Sequence, residues 1–336
     1  MNQLMNEPAG RLDNRPEWIK IISRYNFPDP GRSWWQVINS IVPYVILWIA
    51  MIFSLRISYW LTLGLSVITA GFMVRIFIIF HDCGHGSFFK SARLNTIVGT
   101  ITGLMTFTPF RMWTYEHKIH HQTVGNLDKR GIGDVMTLTV EEYLNLPWLK
   151  KFGYRLYRNP IFLFLVAPPL IFIFLHRATK RYMSLKEKLL QHLSNIAVAA
   201  FVTGLVLLMG WKAYLMIQLP VLYIGTVQGV WLFYVQHQFR DVKWERTEKW
   251  DYKNIALAGS SMFKLPSLLN WFTGNIGFHH IHHLSPMIPN YKLKSCHYEN
   301  TMFSDIVPIT FITAFRSLRL RLWDEKRQVL VGFREI

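Results

Sequence analysis

Histidine, the commonest metal ligand among protein side chains, is concentrated in three short segments of this chain. Nine of the 13 histidines fall in these segments, which we call box one, box two and box three. Such a local density of imidazole nitrogens predicts a metal centre. The candidate ligands are His81 and His85 in box one, His117, His120 and His121 in box two, and His279, His282 and His283 in box three.

The spacing within the boxes suits helices. Positions i and i+4, or i, i+3 and i+4, are neighbours on one side of a helix, so each box can present its imidazoles together. Eight imidazoles exceed the three or four protein ligands that a zinc site takes, and the ligand count therefore predicts two metal ions. A single box could be a cluster of histidines packed in the core or exposed on the surface. Three such boxes in one chain are poorly explained in that way.

The sequence narrows the choice of metal by what it lacks. Zinc, iron, copper and nickel all accept imidazole, so the ligand type alone leaves the metal open. The chain has no His-Glu-x-x-His metalloprotease signature and no Cys-x-x-Cys pair. Of its two cysteines, we interpret Cys83 in box one as a packing residue. Zinc has no redox chemistry, whereas an all-imidazole pair of sites suits redox metals, and we favour two irons.

The composition predicts a membrane protein. Half of the residues are hydrophobic (51%), 15% are aromatic and only 17% are charged. The formal net charge of +17 is explained by basic cytoplasmic loops and by contact with anionic lipid. We therefore expect no nucleic-acid partner.

Four apolar runs are each long enough to cross a hydrocarbon layer of about 30 Å. They form two pairs joined by short turns, which predicts two helical hairpins. The fourth run leads directly into His237, which makes this residue a ninth candidate ligand. The predicted fold class is an all-α membrane protein with four transmembrane helices and a cytoplasmic helical cap that holds a dimetal site. The runs are residues 35–55, 58–80, 189–209 and 213–235.

Two shorter apolar stretches, 96–109 and 161–175, are expected to be interfacial or re-entrant, because the second contains adjacent prolines. With four spans, all three boxes and both termini lie on the cytoplasmic side of the cell membrane. Arg75, the only charged residue in the runs, is expected to extend to the membrane surface. In the tail, the helical spacing of Phe311, Phe315, Leu318 and Leu322 predicts an amphipathic helix, either interfacial or packed in the cap.

These expectations divide the chain into five parts. They are a cytoplasmic N-terminal segment (1–34), a first transmembrane hairpin (35–80), a cytoplasmic or interfacial region with boxes one and two (81–188), a second hairpin (189–235), and a cytoplasmic region with box three and the amphipathic helix (236–336).

The chain resembles the membrane-bound fatty acyl desaturases over nearly its whole length. The resemblance lies in the order of the three boxes, the paired hairpins and the histidine after the fourth span. It is most similar to the Bacillus-type acyl-lipid Δ5 desaturases, which adjust membrane fluidity in the cold. The stretches that carry this closer match are 75–83 (RIFIIFHDC), 126–131 (NLDKRG), 230–237 (VWLFYVQH) and 273–286 (TGNIGFHHIHHLSP).

The resemblance implies metal ligation by the eight box histidines named above and by His237. His280 occupies a position that relatives fill with a non-ligand, and we exclude it. Stearoyl-CoA desaturases have an asparagine four residues before the histidine of the fourth span, where this chain has Phe233. Water or another group would replace that asparagine, and Asn275 is one candidate.

The resemblance also implies a reaction in which O2 and two electrons remove two hydrogens from adjacent methylenes of a membrane phospholipid acyl chain. No cytochrome, flavin or iron–sulfur motif is evident, so a ferredoxin or flavodoxin is the expected electron donor. Near box two, Asp128, Asp134 and Glu116 are candidates to orient ligand imidazoles, although solvation in a loop is the simpler interpretation of each.

Two other functions stay open at this point. Related hydroxylases use similar boxes, and they differ in leaving one oxygen on the product. A membrane metal-binding or transport protein is a different class, but it would need polar residues inside the spans. The sequence leaves the oligomeric state open.

Overall fold

The structure is a computed structural model that describes residues 15–336, and it is mostly helical. The helices, numbered in chain order, are α1 Glu17–Ser23, α2 Pro30–Ser54, α3 Tyr59–His85, α4 Ala92–Met105, α5 Phe110–Thr123, α6 Val140–Leu144, α7 Trp148–Tyr157, α8 Ala167–Ile173, α9 Leu185–Met209, α10 Trp211–His237, α11 Tyr252–Ala258, α12 Ser267–Phe272, α13 His279–Leu284, α14 Asn290–Tyr298 and α15 Phe311–Ser317. Three short strands are β1 Leu138–Thr139, β2 Leu322–Asp324 and β3 Val329–Val331.

Four helices among the described residues are long and apolar enough to cross a membrane. They are α2, α3, α9 and α10, with 25 or 27 residues each. Since about 20 residues cross the hydrocarbon core, each helix also reaches beyond it. The predicted four-helix membrane fold is confirmed, and the two hairpins α2–α3 and α9–α10 match the predicted pairs.

Local sequence signals set the ends of these helices. Asp29 caps α2 by accepting a hydrogen bond from the backbone N–H of Arg32. Ser184 and Glu187 form a reciprocal capping box at the start of α9. Helix α3 ends only at Gly86, whose positive φ of 73° suits glycine. Because α3 runs five residues past the predicted apolar run, box one is its last turn.

Helix α3 lies at the centre of the membrane bundle, packed against α2, α4 and α10. Met51, Ile76, Ile217 and Val221 are fully buried where α2, α3 and α10 meet. Helix α9 is the least buried of the four, and its Leu207 is 81% exposed, as expected for a lipid-facing helix. The two best-packed helices, α3 and α10, are therefore the ones that end in histidines.

The two shorter apolar stretches do not form straight spans. The first is α4, with only 14 residues. In the second, a π-helical turn at Phe162–Val166 leads into α8, and this segment is bent by 57° from α7. Pro168 lies in the first turn of α8, where no N–H donor is needed. The bent unit from α7 through Leu175–Arg177 reaches spanning length only as a broken element.

Arg75 does not reach the membrane surface, and that prediction is wrong. Its side chain is 6% exposed. The guanidinium donates hydrogen bonds to the carbonyl of Trp271 and to Oδ1 of Asn39, and it lies 3.9 Å from the Trp271 ring centroid. A carbonyl, an amide and an aromatic face inside the fold thus replace the lipid head groups as partners for the charge.

The C-terminal helix is shorter than predicted. Helix α15 ends at Ser317, so Leu318 only caps it and Leu322 begins β2, where it is fully buried. Strand β2 pairs in parallel with β1 and antiparallel with β3. The segment that begins at Leu322 is more stable as a strand than as a continuation of the helix. As a strand it forms hydrogen bonds with two neighbouring strands, and the Leu322 side chain is buried. Phe311 stacks on Trp231 of α10, whereas Phe315 remains 59% exposed.

Candidate metal centre

Four helices bring the box histidines to one place. Box one is the last turn of α3, box two lies on α5, His237 is the last residue of α10, and box three forms most of the six-residue α13. All nine predicted ligands therefore converge, although they span two hundred positions of the chain.

The nine imidazoles form two separate groups, each able to hold a metal ion. Within each group, one ring nitrogen from every histidine lies within 4.8 Å of all the others. Site one consists of His81, His85, His117, His121 and His282, and site two consists of His120, His237, His279 and His283.

The i+3 histidines connect the two sites. Helix α5 gives its i, i+4 pair, His117 and His121, to site one and His120 to site two. Helix α13 does the reverse, with His279 and His283 in site two and His282 in site one. Because the i+3 side chain points about 60° away from the i position on a helix, each short helix can serve both ions. The backbones of α5 and α13 therefore fix the position of one site relative to the other.

In site one, the Nε2 atoms lie in close contact. The distances are 3.1 Å from His117 to His81, 3.2 Å from His121 to His117 and 2.9 Å from His282 to His121. Nε2 of His85 is buried and has no hydrogen-bond partner among residues 15–336. The five histidines thus bring one ring nitrogen each to a common place that could hold a metal ion.

Site two is built in the same way. Nε2 of His237 lies 3.2 Å from that of His120 and 3.0 Å from that of His279, and Nε2 of His283 lies 3.1 Å from that of His279. All four residues are buried. The donor set is purely imidazole in both sites.

Partners outside the sites fix the tautomers of three imidazoles. Nδ1 of His81 lies 2.9 Å from the Asp82 carboxylate, Nδ1 of His120 lies 2.5 Å from Asp134, and Nδ1 of His237 lies 3.2 Å from the carbonyl of Gly259. Each oxygen accepts a hydrogen bond, so each Nδ1 carries a proton, and in the neutral imidazole Nε2 then presents a lone pair to the site.

This arrangement fits a metal ion. In site two, Nε2 of His120 and Nε2 of His237 lie 3.2 Å apart, and the other ring nitrogen of each residue faces an oxygen outside the site. Both Nε2 atoms are thus directed into the site, where they could bind one cation together. Ligation of neutral imidazole through one nitrogen, with the other bonded to a carboxylate or carbonyl, is the usual form of histidine metal sites.

The protonation state agrees with this fit. Burial, and then the neighbouring imidazoles, lower the pKa of His117, His121 and His282 in site one and of His279 and His283 in site two well below the usual range. These side chains are therefore neutral near pH 7 and have lone pairs available for a metal.

The structure separates the other sequence candidates from the sites. His280 is buried against His297, with 3.2 Å between ring nitrogens, and it belongs to neither site. Cys83 packs in an apolar cluster with Ile79 and Phe88. Asn275 lies in a turn at a positive φ of 58°, as its neighbouring glycines suggested. Its exclusion from a regular helix is confirmed.

The three acidic candidates near box two have different partners. Asp134 accepts from His120 as described. Asp128 instead binds Arg246 at 2.7 Å, and Glu116 accepts from Tyr182 at 2.6 Å. Sequence reasoning missed Asp82, although it adjoins His81 in box one. Asp82 is itself held by the backbone and side-chain amides of Asn290, at 2.7 and 2.8 Å.

Phe233 stands beside site two, in the position where the sequence comparison with stearoyl-CoA desaturases placed an asparagine. Its ring centroid is 5.3 Å from that of His120 and 5.2 Å from that of His237. An aromatic side chain offers no ligand atom, so this side of site two is apolar.

The sequence model of the fatty acid desaturase family matches residues 58–305, which include all three boxes and His237. The chain belongs to the fatty acid desaturase family. It is accordingly an oxidoreductase, a desaturase, with the helices of a membrane protein.

Curated relatives support the assignment. The chain is 46% identical to a fatty acid desaturase of Bacillus subtilis, over 94% of this chain and 90% of the relative. It is 28% identical to the sn-1 acyl-lipid omega-3 desaturase (ferredoxin) of Synechocystis, over 65% of this chain and 61% of the relative. It is 27% identical to the chloroplastic omega-3 fatty acid desaturase of Brassica napus, over 79% and 68%.

The desaturase has an apolar cavity of about 310 Å³ between α3 and α10. Its walls include Val74 and Phe77 from α3 and Gly229 and Leu232 from α10. At one end it reaches histidines of both sites, namely His81, His117 and His279. The cavity thus joins the membrane-spanning part of the molecule to the candidate metal centre.

Proposed function

We propose that this desaturase introduces a cis double bond into acyl chains of membrane phospholipids, with O2, two irons and external electrons. The observation that carries the proposal is the apolar cavity that ends on histidines of both sites. A hydrocarbon chain in that cavity would lie against both metal positions at once.

The nine histidines of the two sites are the proposed iron ligands. Iron with O2 supplies an oxidant strong enough for unactivated C–H bonds. The balance is one –CH2–CH2– unit, one O2, two electrons and two protons, giving one –CH=CH– unit and two waters. The protein holds the acyl chain, excludes water and orients the imidazoles.

The shape of the cavity suits an extended chain. It follows α3 from His81 back to Met73, which is about 12 Å at the helical rise of ~1.5 Å per residue. On α10, Gly225 and Gly229 lie one turn apart and both line it. A Cβ added at Gly229 would meet no atom within 4 Å, so glycine keeps this wall open.

The proposed regiochemistry is Δ5. A Δ5 bond lies only a few carbons from the ester, so the ester must stay close to the metals. Both sites lie at the ends of α3 and α10, beyond the predicted apolar runs. This location supports a phospholipid whose glycerol ester remains at the membrane surface while the methyl end extends down the cavity.

The proposed location is the cell membrane, with the sites and both termini in the cytoplasm. With four spans, the outer turns contain only Arg56 and Lys212, whereas the chain carries a net charge of +17. The positive-inside rule supports this orientation. A basic cytoplasmic face favours an acidic electron donor, and we propose a ferredoxin or flavodoxin. The Synechocystis relative is named as a ferredoxin enzyme.

The decisive experiment expresses the protein in a host that lacks unsaturated lipids, with fatty-acid profiling and location of the double bond. We expect Δ5-unsaturated chains in phospholipids, and none from a His120→Ala variant. Hydroxylated chains would identify a hydroxylase, and a different bond position would refute Δ5 alone. Elemental analysis of the purified protein should give about two irons per chain.

A further inference from the structure

A second, larger groove lies on another side of α5. It measures about 700 Å³ and is bounded by α4, α5 and the start of α9. Helix α5 contributes Arg111, Tyr115 and Lys118 to the groove, but Glu116 and His117 to the apolar cavity. Among residues 15–336, no histidine lines the groove. A molecule bound there would therefore be separated from both metal sites by α5.

Part of the groove lining is basic. Arg111 and Lys118 lie about two turns apart on α5, Lys186 lies in the first turn of α9, and all three side chains are exposed. None of them forms an ion pair with any residue in 15–336. The one carboxylate in the lining, Glu187, already accepts hydrogen bonds from the backbone and hydroxyl of Ser184 at 2.7 Å. The lining thus contains three basic side chains and one carboxylate that is already hydrogen-bonded, which gives the groove a net charge of +2.

Another part of the lining is apolar. It includes Leu104 from α4 and Leu193 and Ala197 from α9. Thr96 and Thr100 also line it, but their hydroxyls donate to backbone carbonyls four residues earlier, at 3.0 and 2.7 Å. What these threonines offer the groove is therefore their methyl groups.

The two parts of the lining are separated along a lipid-facing helix. Lys186 lies in the first turn of α9 and Ala197 is eleven residues later, which is about 16 Å at the helical rise of ~1.5 Å per residue. An occupant must then be an amphiphile with an anionic head at the start of α9 and a hydrocarbon tail along it. Basic pockets between membrane helices bind anionic lipid head groups in this way.

We propose that this groove binds one anionic phospholipid that is not turned over. Its phosphate lies among Arg111, Lys118 and Lys186, and one acyl chain lies along α4 and α9. The lipid fills the gap between α9, the least buried membrane helix, and the helix that carries box two. The inference concerns lipid binding alone and does not rest on the proposed reaction.

The test is native mass spectrometry of the full-length protein with phosphatidylglycerol or phosphatidylcholine added in detergent. Wild type should retain one phosphatidylglycerol in clear preference to phosphatidylcholine. Each of Arg111→Gln, Lys118→Gln and Lys186→Gln should reduce that preference about fivefold, the equivalent of ~1 kcal/mol per basic side chain. The triple variant should show no preference.

The matched control removes the same charge elsewhere. Lys150→Gln, Lys249→Gln and Lys326→Gln combined change three exposed lysines outside the groove, and the preference should be unchanged. Equal retention of both lipids by wild type, or an undiminished preference in the groove triple variant, would overturn the proposal.

A second pair of variants tests the apolar part without altering charge. Ala197→Trp places a large ring in the groove, whereas Ala199→Trp places it on another face of α9, outside the lining residues. Retained phosphatidylglycerol should fall in the first and persist in the second. Equal retention in both would contradict acyl-chain binding along α9. Because lipid retention is measured directly, a wrong assignment of the reaction would leave these results unchanged.

Discussion

The carboxylate of Asp134 accepts a hydrogen bond from Nδ1 of His120 at 2.5 Å, and both side chains are at most 5% exposed. The bond fixes the tautomer in which Nε2 of His120 points at site two. It also links the loop after box two to one of the four imidazoles of that site. Asp134 is thus a positioning residue.

Removal of this carboxylate should weaken metal binding without removing a ligand. We expect Asp134→Ala to lower metal affinity by about 10–100-fold, the usual effect of losing such a partner. Metal titration of the chelator-treated protein measures it. Asp128→Ala is the control, since Asp128 binds Arg246 rather than an imidazole. Equal affinity in wild type and Asp134→Ala would show that the bond plays no part in ligation.

His120→Ala tests the division of the histidines between two sites. Site two would keep three of its four imidazoles, and site one would keep all five. We expect desaturated product to disappear and metal content to fall from about two ions per chain towards one. Membrane insertion should be normal, because His120 lies outside the four spans.

The control for this variant is His192→Ala, an exposed histidine on α9 outside both sites. It should keep wild-type metal content and activity. Retention of both ions and of full activity in His120→Ala would remove this residue from the ligand set.

The eight box histidines could be grouped from the sequence because helical spacing is a local property, and His237 became a candidate because it follows the fourth apolar run. The spacing could not predict which imidazole serves which ion, since that depends on how α5 and α13 lie relative to α3 and α10. The same limit applies to Gly259, whose carbonyl reaches His237 across 22 positions. Arg75 and Leu322 were misplaced for a similar reason. Their partners, Trp271 and Val331, come from other parts of the fold.

The cavity wall at Gly229 should control how the acyl chain is held. Gly229→Leu places a side chain where no atom lies within 4 Å of an added Cβ, inside the cavity lining. We expect lower turnover or a preference for shorter chains, with metal content unchanged. Fatty-acid profiles with chains of different length measure this. Gly204→Leu on α9 also enters open space, but outside the cavity, and should behave as wild type.

The buried imidazoles make the metal-free protein sensitive to acid. In the unfolded chain a histidine titrates near pH 6.5, whereas burial lowers the pKa of His117, His121 and His283 in the folded protein. Between these values the unfolded state binds more protons. Stability is therefore fully present above about pH 6.5 and is lost as the pH falls below it.

Thermal unfolding of chelator-treated protein from about pH 8 to about pH 5 tests this expectation. The unfolding temperature should be constant from about pH 8 to about pH 6.5 and should fall at lower pH. A double variant, His279→Asn with His283→Asn, should decline less steeply because two of the responsible groups are gone. An unfolding temperature that stays constant down to pH 5 would contradict the argument.

Arg158 should be among the residues most important for stability outside the sites. It is fully buried, and its guanidinium donates to the Met136 carbonyl at 3.0 Å, the Gln238 side chain at 2.7 Å and the Leu320 carbonyl at 3.2 Å. Arg158→Met removes three hydrogen bonds from a charged donor, each worth about 1.5–3 kcal/mol, although the Leu320 carbonyl keeps hydrogen bonds from Tyr234 and Arg321. We expect the free energy of unfolding to fall by at least about 3 kcal/mol.

Chemical denaturation with Arg316→Met as the matched control measures this loss. Arg316 is exposed on α15, so its replacement should change the free energy of unfolding by less than about 0.5 kcal/mol. A similar small change in both variants would mean that the Arg158 contacts are dispensable.

Helix α13 supplies histidines to both sites, and it begins only at residue 279 of 336. During synthesis, this helix emerges after both hairpins and can dock beneath them only when they are in the bilayer. Neither coordination sphere is complete until then. Loading of the metals is therefore a late step of biogenesis, and a chain truncated before α13 would insert into the membrane but remain a permanently incomplete apoprotein.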